Sequence, residues 1–174
     1  MKNKIAVLLH NVRSTHNVGS IFRTSEAARV KKIYLSGYTP TPMDRFGRVQ
    51  KDIAKTALGA EKMLPWEYCA SPMKIIKKLS AGGGYASGGK KEEWEIVGVE
   101  QDKRAIDYRK FSARGGFSFG GKVRKPTLFI FGNEVKGIPP TLRKKCDMLV
   151  EIPMHGKKES LNVSVAAGII LFST

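Results

Sequence analysis

The sequence predicts an α/β fold, an open and mostly parallel sheet with helices on its faces. Three observations carry that expectation. Short, continuously apolar runs recur, at residues 5–9 and at Thr127–Phe131, as they do in parallel strands buried on both sides. Stretches of helical spacing stand apart from them, at residues 19–30 and 161–172. Strands and helices alternate along the chain, which implies right-handed crossover connections rather than hairpins. At 174 residues the chain is one domain of ordinary size, long enough to bury a core without disulfides or metals.

Each element has its own signal. Residues 4–9 form the first expected strand, and a polar turn follows over 11–17. The first helix is expected over 19–30, with Ile21, Phe22, Ser25, Ala28 and Arg29 at helical spacing and Asn17 as its cap. Residues 33–35 read as a second strand, and the Pro, Gly and Thr of 37–47 as a loop. A helix begun after Pro72 ends over 75–79. Glu95–Val99, Thr127–Phe131 and residues 148–152 are the third, fourth and fifth strands, and an apolar helix over 161–172 closes the chain. Two Gly-rich stretches, 81–91 and 111–125, read as surface loops or a hairpin. The second holds four glycines, four basic residues, three phenylalanines and no acid.

The charge balance is unusual. Thirty-one Lys and Arg against 15 Asp and Glu leave a net charge of +16 and a pI near 10.0. Such a field attracts polyanions, nucleic acid first and an anionic membrane surface second. No apolar run approaches the length of a membrane span, and the run at 5–9 is too short for a signal peptide. Cys69 and Cys146 are far apart, and His10, His16 and His155 form no zinc pattern. The expectation is a cytoplasmic protein without metal and without membrane contact. Residues 84–90 fit G-x-x-x-x-G-K, but Lys91 stands where a Walker loop needs Ser or Thr, and no strand precedes them. A nucleotide-dependent ATPase is therefore disfavoured. No G-x-G-x-x-G follows a strand, which disfavours a nicotinamide enzyme as well.

Ligands of open α/β sheets sit beyond the carboxyl ends of the strands, and three segments there are dense in polar chemistry. The first is Asn17-Val18-Gly19-Ser20-Ile21-Phe22-Arg23-Thr24. Arg23 can fork onto a phosphate as lysine cannot, or it is simply a surface arginine. The second runs Leu128-Phe129-Ile130-Phe131-Gly132-Asn133-Glu134-Val135-Lys136-Gly137-Ile138-Pro139. A buried strand there enters a turn whose backbone groups are open to a ligand. Glu134 can pair with a cation, accept from an amide, or serve as a charge at a helix start. The third begins Glu151-Ile152-Pro153-Met154-His155-Gly156 and continues through Ser160-Leu161-Asn162-Val163-Ser164-Val165-Ala166. Ser160 and Asn162 stand at a helix start, where side chains cap.

In order, content and separation these segments resemble the SpoU (TrmH-like) branch of the SPOUT methyltransferases, from about residue 5 to residue 171. The matching patterns are N-x-G-x-x-x-R-T, G-N-E-x-x-G and I-P-M-x-G-x-x-x-S-L-N-V-S-V-A. Weaker echoes are Lys55-Thr56-Ala57-Leu58-Gly59-Ala60-Glu61 and Val97-Gly98-Val99-Glu100-Gln101. The resemblance implies a Rossmann-like sheet with a deep C-terminal trefoil knot, S-adenosyl-L-methionine as cofactor, no metal, and a homodimer. It implies methyl transfer to a ribose 2′-hydroxyl of tRNA or rRNA. By resemblance, the cofactor is held around Ile130, Phe131, Gly132 and Asn133, around Ile152 and Met154, and by Ser160 and Leu161. Arg23 is the expected residue that fixes a target phosphate and the hydroxyl, and only secondarily a base. Asn17, Glu134, Ser160 and Asn162 match the other functional positions, where positioning is the expected work, and Asn162 is also expected to hold the knot. The first strand begins at Lys4, so no separate N-terminal RNA-binding domain is expected. RNA contacts then fall to Arg23 and to the basic loop, through Arg114, Lys122, Arg124 and Lys125. A merely solvated hairpin is the competing reading of that loop. The competing reading of the whole chain is an RNA-binding module with an inactive site, against which the intact Arg23, Glu134, Ser160 and Asn162 argue.

Overall fold

The strands are β1 (Ile5–His10), β2 (Lys32–Ser36), β3 (Trp66–Tyr68), β4 (Glu95–Val99), β5 (Ile106–Asp107), β6 (Thr127–Phe131) and β7 (Met148–Glu151). They lie side by side in the order β3-β2-β1-β6-β4-β7-β5, and every pair is parallel. The structure is a computed structural model describing residues 4–81, 93–115 and 125–174, with 112–115 described by backbone alone. The helices are α1 (Thr15–Ala27), α2 (Lys51–Ala57), α3 (Ala60–Met63), α4 (Pro72–Ser80), α5 (Tyr108–Gly115), α6 (Pro140–Arg143) and α7 (Val163–Phe172).

The central strands β1 and β6 are buried at every position, which is why they read as unbroken apolar runs. Alternate side chains enter two cores. Val7, Leu9, Phe129 and Phe131 pack with Val18, Ile21 and Phe22 of α1 and with Ala167 and Ile170 of α7. On the other face Ala6, Leu8, Leu128 and Ile130 pack with Ile75, Ile76 and Leu79 of α4. No described helix is long and apolar enough to cross a membrane.

Several local expectations are corrected. Helix α1 starts at Thr15, not at 19, and its cap is Ser14, whose Oγ accepts from the Asn17 N–H at 3.2 Å. Asn17 thus lies in the first turn, and the polar Thr15-His16-Asn17 hid that turn from the apolar periodicity. The helix ends at Ala27, and Arg29 takes a left-handed φ of 58°. The segment between 51 and 68 holds α2, α3 and β3, which are too short to show a period. Residues 108–115 form helix α5, so the start of the loop expected over 111–125 is helical, and Phe111 sets its ring edge-on to Phe129 at 5.7 Å. Strand β7 ends at Glu151, and α7 begins at Val163, after Asn162. The phosphate-loop-like 84–90, and all of 81–91 but Ala81, lie outside the described residues.

Gly19 is required by packing. A Cβ there would lie 2.0 Å from Thr56 Oγ1 and 2.4 Å from the Ile53 carbonyl oxygen, so α1 and α2 meet backbone to backbone. Thr56 Oγ1 also donates to the His16 carbonyl at 3.2 Å. The 55–61 echo is therefore the surface that seats α1.

Candidate active site

A cleft of about 330 Å³ opens beyond the carboxyl ends of β4, β6 and β7. The strand β6 delivers Phe131 and then the turn 132–137. Asn133 and Gly137 close that turn by reciprocal backbone hydrogen bonds of 3.1 and 2.9 Å. The Asn133 side chain tightens it by accepting from the Val135 and Lys136 N–H groups at 3.0 and 2.8 Å. Two glycines make this possible. A Cβ on Gly132 would lie 2.4 Å from the Gly137 carbonyl carbon, and Gly137 has a φ of +64° with Glu100 Oε2 where its Cβ would be. Glu100 Oε2 in turn accepts from the Ile138 N–H at 2.6 Å. The turn is held from outside and inside, and its backbone faces the cleft.

Glu134 joins this turn to the start of α1. Its carboxylate accepts from the Arg13 N–H at 3.0 and 3.1 Å, from the Ser14 N–H at 3.1 Å and from Asn17 Nδ2 at 3.3 Å. The Ser14 N–H is the donor at the cap of α1 and the Arg13 N–H precedes it, so the carboxylate sits at the positive end of the helix, where a negative charge is favoured. Burial pushes the Glu134 carboxyl up, but the Arg13, Ser14 and own-backbone N–H groups and the Asn17 amide outweigh it and hold it below its ordinary value. From Asn17 the chain of bonds continues. Asn17 Oδ1 accepts from Asn162 Nδ2 at 3.1 Å, and Asn162 Oδ1 accepts from the Ser164 N–H at 2.8 Å, capping α7. One line, Glu134–Asn17–Asn162–Ser164, thereby connects all three sequence motifs.

Behind Asn133 stands a polar wall. Asn133 Nδ2 donates to the Asn11 carbonyl at 3.0 Å and to Tyr38 Oη at 3.1 Å. Asn11 Nδ2 donates to His10 Nε2 at 3.1 Å, and His10 Nδ1 lies 2.9 Å from Ser36 Oγ. Burial lowers the His10 imidazole, which keeps it neutral and able to accept from Asn11.

Of the expected site residues, Phe131, Gly132, Asn133, Glu134, Ile152 and Met154 line the cleft, as do Ser160 and Leu161. Asn17 and Asn162 stand beside it through the bonds above. Ile130 does not line it: its side chain is fully buried in the α4 core, because β6 alternates and Phe131 takes the other face. Arg23 is exposed and lines no part of the cleft. It sits about 9 Å along α1 from Asn17 and about 120° around the helix from it. It makes no hydrogen bond or ion pair among the described residues.

Lys125, expected to contact RNA, does not line the cleft. It precedes β6, so it stands at the amino edge of the sheet, about 23 Å of strand from Gly132. Its Nζ pairs with Glu93 at 3.0 Å. Lys122, Arg124 and the Arg114 side chain lie outside the described residues. Sequence reasoning assigned no role to Glu100, Gln101, Glu151 or Glu159, which also line the cleft. Gln101 Nε2 donates to the Ile152 carbonyl at 2.7 Å, tying the end of β4 to the end of β7. The signal available was the place of Glu100 and Gln101 just after an apolar strand and of Glu151 at the end of one; Glu159, well past β7, carried none. Among the described residues, no group of three His, Cys, Asp or Glu is placed to hold a metal ion.

Residues 4–172 match the model of the SpoU rRNA Methylase family. The 23S rRNA (guanosine-2′-O-)-methyltransferase RlmB of Ralstonia nicotianae is 29% identical over 168 residues, spanning 97% of this chain and 57% of that protein. Its counterpart in Xylella fastidiosa is 30% identical over 172 residues, with 97% and 57% spanned. The chain thus covers little more than half the length of these relatives. Among solved structures, the SpoU methyltransferase AviRb from Streptomyces viridochromogenes, in complex with AdoMet, is similar at a TM-score of 0.77 and 25% identity, over 99% of this chain and 57% of that one. The A. aeolicus TrmH/SpoU tRNA modifying enzyme gives 0.75 at 26% identity, over 99% and 74%. With the match running through all three motifs that meet at the cleft, the chain belongs to the SpoU rRNA methylase family.

Proposed function

We propose that this chain transfers a methyl group from S-adenosyl-L-methionine to a ribose 2′-hydroxyl of tRNA or rRNA. The observation that carries the reading is the convergence of three distant motifs on one cleft through the bonds of Glu134, Asn17 and Asn162. The relatives named as guanosine-2′-O-methyltransferases and the AdoMet complex of AviRb support it.

The residues present suit the cofactor. The cleft falls in the size range of small-molecule sites, about 300–1,000 Å³. Phe131, Ile152, Leu161 and Val163 offer apolar walls, and the turn at Gly132 offers backbone groups uncovered by a side chain. Glu151 and Glu159 line the same cleft and bring negative charge to a ligand that carries a positive sulfonium. The cofactor supplies an activated methyl group, electrophilic enough to need no metal.

The chain must hold and orient the hydroxyl that attacks. Arg23 is exposed and unpaired among the described residues, so its guanidinium is free to fork onto a phosphate beside the target ribose. Arginine stays protonated, so its work is fixing the phosphate and the hydroxyl, and the hydroxyl proton leaves to that phosphate or to solvent. Glu134 is no base either: its oxygens are occupied by the donors at the start of α1. It positions that helix, and with it Arg23. Ser160, exposed at the cleft, is a positioning group for substrate or cofactor.

The same reading extends to assembly. We take residues 4–172 as one methyltransferase domain whose C-terminal segment forms the family's trefoil knot, with Asn162 binding the start of α7 to α1. The chain pairs as a homodimer. Val165 and Phe172 are exposed at a spacing that brings them to one side of α7, where a second copy would cover them.

Calorimetric titration with S-adenosyl-L-methionine tests the cofactor step, on the wild type and on Leu161→Arg. Leu161 is 40% exposed, so the variant keeps the fold while placing a bulky cation in the cleft. Wild-type binding, weakened by about tenfold or more in the variant, is expected. No binding by the wild type would leave the RNA-binding module as the better reading.

A further inference from the structure

Lys125, the described end of the basic stretch expected to grip RNA, stands at the amino edge of the sheet, away from the cleft. The carboxyl edge has its own exposed element, between β2 and α2. There, Met43 and Val49 pair as an antiparallel bridge around the turn Asp44-Arg45-Phe46-Gly47. Phe46 is 67% exposed at the tip, and the Arg45 and Arg48 guanidiniums lie over its ring at 4.7 and 5.1 Å from its centre. We propose that this hairpin is a stacking platform for an unpaired base of the RNA. The proposal rests on the reading of the chain as an RNA-modifying enzyme.

Three features support it. First, an exposed aromatic ring gathered with guanidiniums is the combination on which single-stranded bases stack. Second, the hairpin is preorganised. Asp44 Oδ1 accepts from the Phe46 and Arg48 N–H groups at 2.8 and 2.9 Å, and Asp44 Oδ2 accepts from Arg48 Nε at 2.7 Å. The Gly47 N–H donates to the Asp44 carbonyl at 3.0 Å with a φ of +77°. An ordered tip loses little freedom when a base lands on it. Asp44 neutralises Arg48, while Arg45 has no acidic partner among the described residues and leaves the tip positive.

Third, the base of the loop is anchored to the site. Thr39 Oγ1 donates to the Ser36 carbonyl at 2.8 Å and accepts from the Val12 N–H at 3.2 Å, which pins the loop to the segment leading into α1. Tyr38 Oη accepts from Asn133 Nδ2 at 3.1 Å, in the turn that lines the cleft. Tyr68 Oη holds the Gly37 carbonyl at 2.8 Å. The platform is thus fixed relative to both the cleft and Arg23.

The test is fluorescence anisotropy of the full chain with an end-labelled, unstructured RNA of about 12 nucleotides. Phe46→Ala is expected to weaken binding about 5- to 100-fold, and Phe46→Trp to retain it. The salt slope of Phe46→Ala should match the wild type, since stacking releases no counterions, while Arg45→Ser should lower it by about 1. Asp44→Ala gives the sharpest contrast. It makes the tip more positive, so plain electrostatics requires tighter binding, whereas loss of the ordered turn requires weaker binding. Unchanged affinity in Phe46→Ala, or tighter binding in Asp44→Ala, overturns the platform while leaving the enzyme reading intact. A dimer that falls apart in Phe46→Ala without a change in RNA affinity overturns it too, and assigns the tip to a second copy of the chain. A wild type that binds no RNA at all removes both the platform and the RNA substrate.

Discussion

Replacing Glu134 by Gln takes one negative charge from the start of α1 and leaves the shape of the side chain. Glu134 accepts from the Arg13 N–H, the Ser14 N–H and Asn17 Nδ2, and Gln would turn a donor toward one of them. A hydrogen bond to a charged group is worth about 1.5–3 kcal/mol and a neutral one about 0.5–1.5. The helix-terminus charge adds about 0.3–1 kcal/mol. Solvent screens a carboxylate that is not fully buried, so the expected net loss is about 2 kcal/mol. In a domain of this size that lowers Tm by about 4–8 °C. The loss depends on pH in a definite sense. The folded carboxyl lies below its ordinary value of 4.5, so its stabilisation is present above that value and disappears as pH falls through the folded one. Urea unfolding followed by circular dichroism, at neutral pH and through the acid range, reads both quantities. The wild type should exceed Glu134→Gln at pH 7, and the gap should close in acid. Equal stability at pH 7, or a gap that persists in acid, would refute the role of this carboxylate as the anchor of α1.

Arg23→Ala should abolish methyl transfer with cofactor affinity nearly unchanged, and stability should move by less than about 0.5 kcal/mol because the side chain is exposed. Turnover and calorimetry on the same preparation check it, and retained turnover would sink the assignment. Gly19→Ala should cost about 1–3 kcal/mol by forcing α1 away from the Ile53 carbonyl and Thr56, seen as a lowered urea midpoint. The Cys146 thiol is pushed up to about 12, first by burial and then by the Asp147 charge. A disulfide reagent at pH 8 should therefore leave Cys146 unmodified in the native protein and modify it in urea, as mapped by peptide mass.

Burial on both faces is a strong signal, and β1 and β6 stood out in the sequence for that reason. Helix α7 is legible by its apolar content, although only Val163, Ala167, Ile170 and Leu171 are buried. Polar first turns and short elements carry no such period. The apolar spacing of α1 begins only at Val18, which points to Asn17 as the cap and not to Ser14. The elements α2, α3 and β3 owe their existence to contacts with α1 and β2 rather than to their own pattern. The motif residues of the cleft were legible because each follows a strand. What joins them was not. Nothing local in Glu134 says that its partners are the N–H groups of Arg13 and Ser14, more than a hundred residues earlier. Nor does the composition of 111–125 say that its last residue stands at the opposite edge of the sheet. The hairpin at 43–49 read only as a loop, since Pro, Gly and Thr mark a turn without marking what its tip presents.

Methyl transfer to a ribose hydroxyl can be read directly. The direct measurement supplies S-adenosyl-L-methionine with a labelled methyl group to unmodified tRNA and, separately, to unmodified rRNA, and then digests the product with alkali. Alkaline cleavage of RNA uses the 2′-hydroxyl as nucleophile, so a 2′-O-methylated residue resists it and leaves its label in an uncleaved dinucleotide. Label in alkali-resistant dinucleotides from one RNA class, lost in Arg23→Ala, is the predicted result and names the substrate. Label released with single nucleotides would place the methyl group on a base. No transfer to either RNA from protein that binds the cofactor would contradict the assigned reaction.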